Sequence, residues 1–148
     1  MSQFIGTKMA RGFAGELTRG YFDNTTEIKA NDAAAPVVAF GVAVKLNATA
    51  DGVTPVTAAS DNVYGFAVRV YGQADCQGEQ TQNLVTIMKR GYMAVTVVGG
   101  TPALGGQVYL SATGAITANS ASATAIEGAV FMGAIDANGL AEVAFNIL

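Results

Sequence analysis

From Val37 onward the chain alternates. In "VVAFGVAVKL" the even positions are Val38, Phe40, Val42, Val44 and Leu46, and the odd ones are Val37, Ala39, Gly41, Ala43 and Lys45. A period of two, with one apolar face and one face of small residues, predicts a strand. "VYGFAVRVY" repeats the pattern, with Tyr64, Phe66, Val68 and Val70 on one face and Gly65, Ala67 and Arg69 on the other. "LVTIMKR" and "YMAVTVV" flank Gly91, which predicts a bulge or bend between two strand halves, with Met93, Val95 and Val97 sharing a face. "QVYLS" is a short strand with Val108 and Leu110 inward. "GAVFMGAID" and "LAEVAFNIL" form a hairpin across "DANG", where Asn138-Gly139 is a strong turn signal and Ala141, Val143, Phe145 and Ile147 alternate. The best helical candidate, "ANSASATAIE" at 118–127, is rich in Ser, Thr and Asn and reads as a loop.

The first thirty residues break this pattern. They hold Lys8, Arg11, Arg19 and Lys29 with Phe13, Tyr21 and Phe22, are interrupted by glycines at 6, 12, 15 and 20, and have no helical or strand period. The reading is an extended N-terminal arm over 1–30 and a body over 31–148. The body is an all-β, single-domain β-sandwich or partly closed, jelly-roll-like barrel. Aromatics interspersed with arginines point to an arm that docks on a partner, and a chain starting near Asn31 is expected to keep its fold.

Composition then narrows the function. At 148 residues the chain is long enough for a hydrophobic core. Charged residues make up 13% of it, against roughly 25% in a typical soluble domain. So few charges imply that part of the surface is covered by other subunits. The small-residue faces Ala39/Gly41/Ala43 and Gly65/Ala67 are the candidates for that contact.

The chain offers little chemistry. Histidine is absent, which removes the commonest general base and metal ligand. Cys76 is the single cysteine, so no internal disulfide forms, and it lies in the polar run "YGQADCQGEQTQN" with nothing to activate it. Carboxylate pairs can hydrolyse glycosides, but such sites usually carry aromatic platforms and tryptophan is missing here. "TADGVTP" at Thr49–Pro55 lacks the alternating oxygen ligands of a calcium loop, and both it and "DNTTE" at Asp23–Glu27 read as turns. Asn24-Thr25-Thr26 and Asn47-Ala48-Thr49 match the glycosylation sequon by chance, because the N-terminus lacks the apolar segment of a secretory signal. No glycine motif opens a helix after a strand, so phosphate binding has no support. The expectation is a non-enzymatic protein without metal or cofactor.

The stretch from Gly91 to Ile126 is uncharged but too rich in Gly, Ser, Thr and Asn to span a membrane as a helix. The arm carries four basic and three acidic residues, and the whole chain has a net charge of −3. That is a poor footprint for nucleic acid. Neither a membrane nor a nucleic acid is an expected partner.

The order of motifs resembles that of the head decoration, or structural cement, proteins of tailed bacteriophages. "RGFAGELTRGYFDNTTEIKA" resembles their N-terminal stretch, "PVVAFGVAVKL" and "NVYGFAVRVY" their early strands, "KRGYMAVTVVGG…ALGGQVYLSATGAIT" their strand, loop and following strand, and "AVFMGAIDANGLAEVAFNIL" their closing hairpin. The resemblance covers nearly the whole chain. It implies a protein made in the host cytoplasm that binds the outer surface of the capsid. Its partners would be the major capsid protein and copies of itself, as homodimer or homotrimer. Two other readings are a tail or baseplate module and a carbohydrate-binding β-sandwich on a host-recognition fibre. Candidate interface residues are Arg11, Phe13, Arg19, Tyr21 and Phe22 in the arm and Gly99, Gly100, Gly105 and Gly106 in a loop that must turn tightly.

Overall fold

One long strand organises the molecule. The structure, a computed structural model, describes residues 12–70 and 83–147, without the side chain of Tyr21. Nine strands run through these residues: β1 (Thr25–Asn31), β2 (Ala43–Leu46), β3 (Gly52–Pro55), β4 (Gly65–Ala67), β5 (Leu84–Thr96), β6 (Gln107–Leu110), β7 (Ile116–Thr117), β8 (Thr124–Phe131) and β9 (Leu140–Phe145). There is no α-helix among them.

The first half of β5 pairs with β1 on one side and β4 on the other. β1 pairs with β3 in parallel, and β3–β2 and β2–β4 complete an antiparallel circuit. Five strands thus close into a barrel. The second half, Gly91–Thr96, pairs instead with β9, which begins a second sheet in the order β9–β8–β6–β7.

The outer edges of this second sheet are covered. Beyond β5 the backbone meets β7, with Val98 N donating to Ile116 O at 2.9 Å and Ala118 N to Gly99 O at 3.1 Å. On the other flank Leu17 bridges Met93. Gly15 N donates to Ala94 O at 2.8 Å, Ala94 N to Glu16 O at 3.0 Å, and Thr18 N to Tyr92 O at 3.1 Å. Sealed edges matter because an open edge recruits other strands.

Alternation in β4 and β5 divides the core in two. Val37, Val44, Val53, Ala67, Val85 and Ile87 fill the barrel. Phe66 and Met88 point outward from it into a larger core with Met93, Val95, Val108, Leu110, Phe131, Val143 and Phe145 from the second sheet. Phe66 meets Phe145 edge-on, with centroids 5.0 Å apart and planes at 82°. Each such buried ring contributes about 1.5–3 kcal/mol by leaving water.

The all-β reading holds, and the body contains a closed barrel. The sequence pattern correctly aligned Met93, Val95 and Val97, and also Val108 and Leu110, all buried. The "DANG" hairpin is a turn in which Gly139 N donates to Asp136 O and Gly139 takes φ +80°, while the buried Asp136 carboxylate accepts from Asn138 N and Leu140 N at 2.8 and 2.9 Å. A turn followed by a glycine in left-handed conformation is a common three-residue hairpin loop.

Other expectations need correction. Thr25–Asn31, assigned to an irregular arm, is a barrel strand. Its inward positions are Glu27 and Lys29 rather than apolar residues, so it carries no apolar alternation. The strand expected from Val37 begins only at Ala43, because Gly41 adopts φ +72° and breaks it; Val37 is buried and Val38 faces out. β8 begins at Thr124, inside the stretch read as a loop. The bulge expected at Gly91 lies at Lys89, which β1 skips between the pairs Thr25–Arg90 and Thr26–Met88. Ala43 and Ala67 belong to the cores, and a Cβ on Gly65 would lie 2.4 Å from Ile87 Cγ2, so these small residues pack internally, whereas Ala39 is exposed.

Candidate attachment surface

The N-terminal segment lies against its own body. Arg19 Nη2 donates to Glu142 Oε1 at 2.9 Å and its Nε to Oε2 at 3.3 Å, while the guanidinium sits 4.0 Å from the centroid of the Tyr92 ring. Thr18 Oγ1 also bonds Glu142. Glu142 lies on the face of β9 opposite the apolar core and is only 7% exposed. Such a fork matches the carboxylate plane and fixes orientation as well as charge. The Arg19 pKa is raised, chiefly by its hydrogen bond to Glu142. Arg19, expected as an anchor for a partner, is thus engaged within the chain.

Just before it the segment crosses the loop leading to β2. A Cβ on Gly41 would lie 2.6 Å from Gly15 N, and one on Gly15 would lie 2.7 Å from Phe40 Cβ. The crossing is completed by Arg69, whose N–H donates to Gly15 O at 2.8 Å. Its guanidinium lies 4.6 Å from the Phe13 ring and 5.7 Å from the Phe40 ring. Phe13 remains partly exposed beside that contact.

After Arg19 the backbone makes a 3-10 turn, Tyr21–Asp23. Asn24 fastens it: the side-chain amide donates to Arg19 O at 3.1 Å and Gly20 O at 3.0 Å, and its oxygen accepts from Tyr92 N at 2.8 Å. Gly91 makes room for that amide, since a Cβ there would lie 2.0 Å from Asn24 Oδ1. The turn presents Phe22 to solvent, 94% exposed.

In the loop joining β5 to β6, Gly100 lies against the backbone of Ala118 and Asn119, whereas Gly105 faces open space. Leu104, between them, is 74% exposed. Other exposed apolar side chains were not singled out by sequence: Ile28 and Leu84 on the outer barrel wall, and Val38. Ile28 stands opposite Thr86, and Leu84 opposite Ala30, so they share one face of adjacent strands. Arg11 and Cys76, with most of the 72–83 insertion, lie outside the described residues.

One end of the barrel is polar. Tyr64 Oη donates to Glu27 Oε2 at 2.6 Å, Lys29 pairs with Glu27 at 3.4 Å, and Lys89 Nζ lies over the Tyr64 ring at 3.3 Å. The Tyr64 hydrogen bond lowers the Glu27 pKa, and desolvation lowers that of Lys89. Asp61 is lowered by Lys45 and by backbone donors at Thr57 and Ala58. Carboxyls held below their ordinary range contribute stability above the unfolded value, near 4, and lose it as pH falls through the folded value. The melting temperature is therefore expected to stay level from pH 7 to about 5 and to fall below about pH 4. A steady decline beginning at pH 6 would contradict this.

Among the described residues no three His, Cys, Asp or Glu side chains form a metal-binding group, and no helix is long and apolar enough to cross a membrane. A cleft of about 240 Å³ between residues 59–63 and strands β6 and β8 is lined by Ser60, Asp61, Leu110 and Ile126, without an aromatic side chain.

The body is tied together internally and exposes Phe22, Ile28, Leu84 and Leu104 on its turns and walls. Residues 1–146 match the model of the family described as "Structural cement protein (E217 gp24/Pam3 gp6)". The chain belongs to this structural cement protein family. It is accordingly a phage structural protein, and the resemblance read from the order of motifs is correct. A chain of the solved structure "The capsid of Myoviridae Phage XM1" has a similar fold, with a TM-score of 0.73 over 96% of this chain and 94% of that one, at 20% sequence identity. No curated protein matches.

Proposed function

We propose that this cement protein binds the outer surface of the phage capsid and stabilises the assembled shell without catalysis or cofactor. The partners are the major capsid protein and neighbouring copies of the chain itself, associating as dimers or trimers. The observation that carries the reading is the family match over residues 1–146. The low charge fraction of 13% and the outward-facing Phe22, Ile28, Leu84 and Leu104 support it. The mechanism is linkage: a ligand that prefers the assembled shell to its separated subunits lowers the free energy of the assembled state. Many copies, each held weakly, add up when neighbours are joined.

The test is co-sedimentation with shells prepared without this protein, beside the unassembled capsid protein and a glycan array. Saturable pelleting with shells, and neither binding to free subunits nor a glycan signal, is expected. Absence from the shell pellet at saturating concentration would overturn the reading.

A further inference from the structure

We propose that Phe22 is a preformed knob that enters an apolar pocket, with a cationic or N–H-bearing rim, on the capsid protein. The inference rests on the shell-binding reading and identifies its point of attachment. Phe22 is the most exposed large apolar side chain among the described residues, at 94%. It stands on a turn secured on both sides. Before it, Arg19 is fixed by the Glu142 fork and the Tyr92 ring. Within it, Asp23 N donates to Gly20 O at 3.0 Å. After it, Asn24 reaches back to two carbonyls of the turn and accepts from Tyr92 N, in the space left by Gly91.

The turn is therefore bolted to β5 and β9, the strand pair with which the second sheet begins. A flexible loop that exposes a phenylalanine must be ordered when it binds, whereas a fixed one has met that cost in folding. Aromatic side chains seated in pockets dominate binding at protein interfaces.

The surroundings select the partner. Phenylalanine offers no hydrogen bond, so its complement is an apolar cavity. Asp23, exposed beside it, carries a negative charge. That charge disfavours phosphate-rich surfaces, whether nucleic acid or anionic lipid, and is complemented by a basic or N–H group at the cavity rim.

The experiment titrates full-length protein onto shells prepared without it and compares half-saturation concentrations. Phe22→Ala is expected to weaken binding by about 10- to 100-fold with a melting temperature within a degree or so of wild type, because the side chain is 94% exposed. Phe22→Leu is expected to fall between, and Asp23→Lys to weaken binding while reversing its salt dependence. If wild type binds and Phe22→Ala binds equally well, the knob is refuted and the shell-binding reading stands. If wild type fails to bind, the shell-binding reading itself falls. A Phe22→Ala variant that also melts at a clearly lower temperature would make Phe22 a folding residue and overturn the assignment.

Discussion

A chain that begins at Asn31 is expected not to fold. Such a truncation removes β1, which pairs with β5 through Thr26–Ala30 and closes the barrel against β3. Without it the seam beside Val53, Val85 and Ile87 opens to water, although these side chains are now almost completely buried. The same cut removes residues 15–18, which satisfy the backbone of Tyr92 and Ala94. It also takes Thr18 and Arg19 from the buried Glu142. Breaking a fully buried ion pair costs about 3–5 kcal/mol. The figure is an upper bound here, because the Arg19 side chain is 40% exposed. Set against a total stability of about 5–15 kcal/mol, these losses together leave nothing to hold the fold. Far-ultraviolet circular dichroism and a thermal melt check this. A cooperative transition within a few degrees of full length would show that β1 is dispensable.

The crossing of Gly15 over Gly41 is the second sensitive point. Gly41→Ala places a Cβ 2.6 Å from Gly15 N and 3.1 Å from Ala14 C, both backbone atoms that cannot rotate away. It also forces an L side chain to φ +72°, at about 1–2 kcal/mol. Together the two effects are expected to cost about 3 kcal/mol or more. In a protein of this length each kcal/mol lowers the melting temperature by about 2–4 °C, so a fall of about 10 °C follows. Gly105→Ala is the internal control: it has φ +78° but nothing within 4 Å, so it incurs only the backbone part, about 1–2 kcal/mol. Because Gly15→Ala breaks the same crossing, the double variant is expected to lose less than the sum. Equal shifts for Gly41→Ala and Gly105→Ala would show that the close approach contributes nothing.

These two sites mark where the sequence was legible and where it was not. Met93/Val95/Val97 and Ala141/Val143/Phe145 were readable because each strand turns one apolar face to a single core. β1 was not, because its inner positions, Glu27 and Lys29, serve the polar end of the barrel through Tyr64 instead of the apolar cluster. The strand before Ala43 was overextended for a tertiary reason: Gly41 answers to Gly15, 26 positions away, and not to its neighbours. Arg19 was recognised as an anchor, and within the fold it holds a carboxylate of its own chain. Its partner, Glu142, is 123 positions away, and the only local hint was a lone acid in the apolar run of β9. Phe22 stood out as an aromatic among glycines and is solvent-exposed in the fold. The order of motifs, which no single strand carries, identified the family.

The central claim is that the protein stabilises an assembled shell. It is tested most directly by calorimetry of shells prepared without this protein, with and without the purified chain added. The shell transition is expected to rise with added protein and to keep rising with the logarithm of its free concentration above half-saturation, as binding to the assembled state alone requires. A shell transition that stays at the same temperature while the protein is demonstrably bound would contradict it.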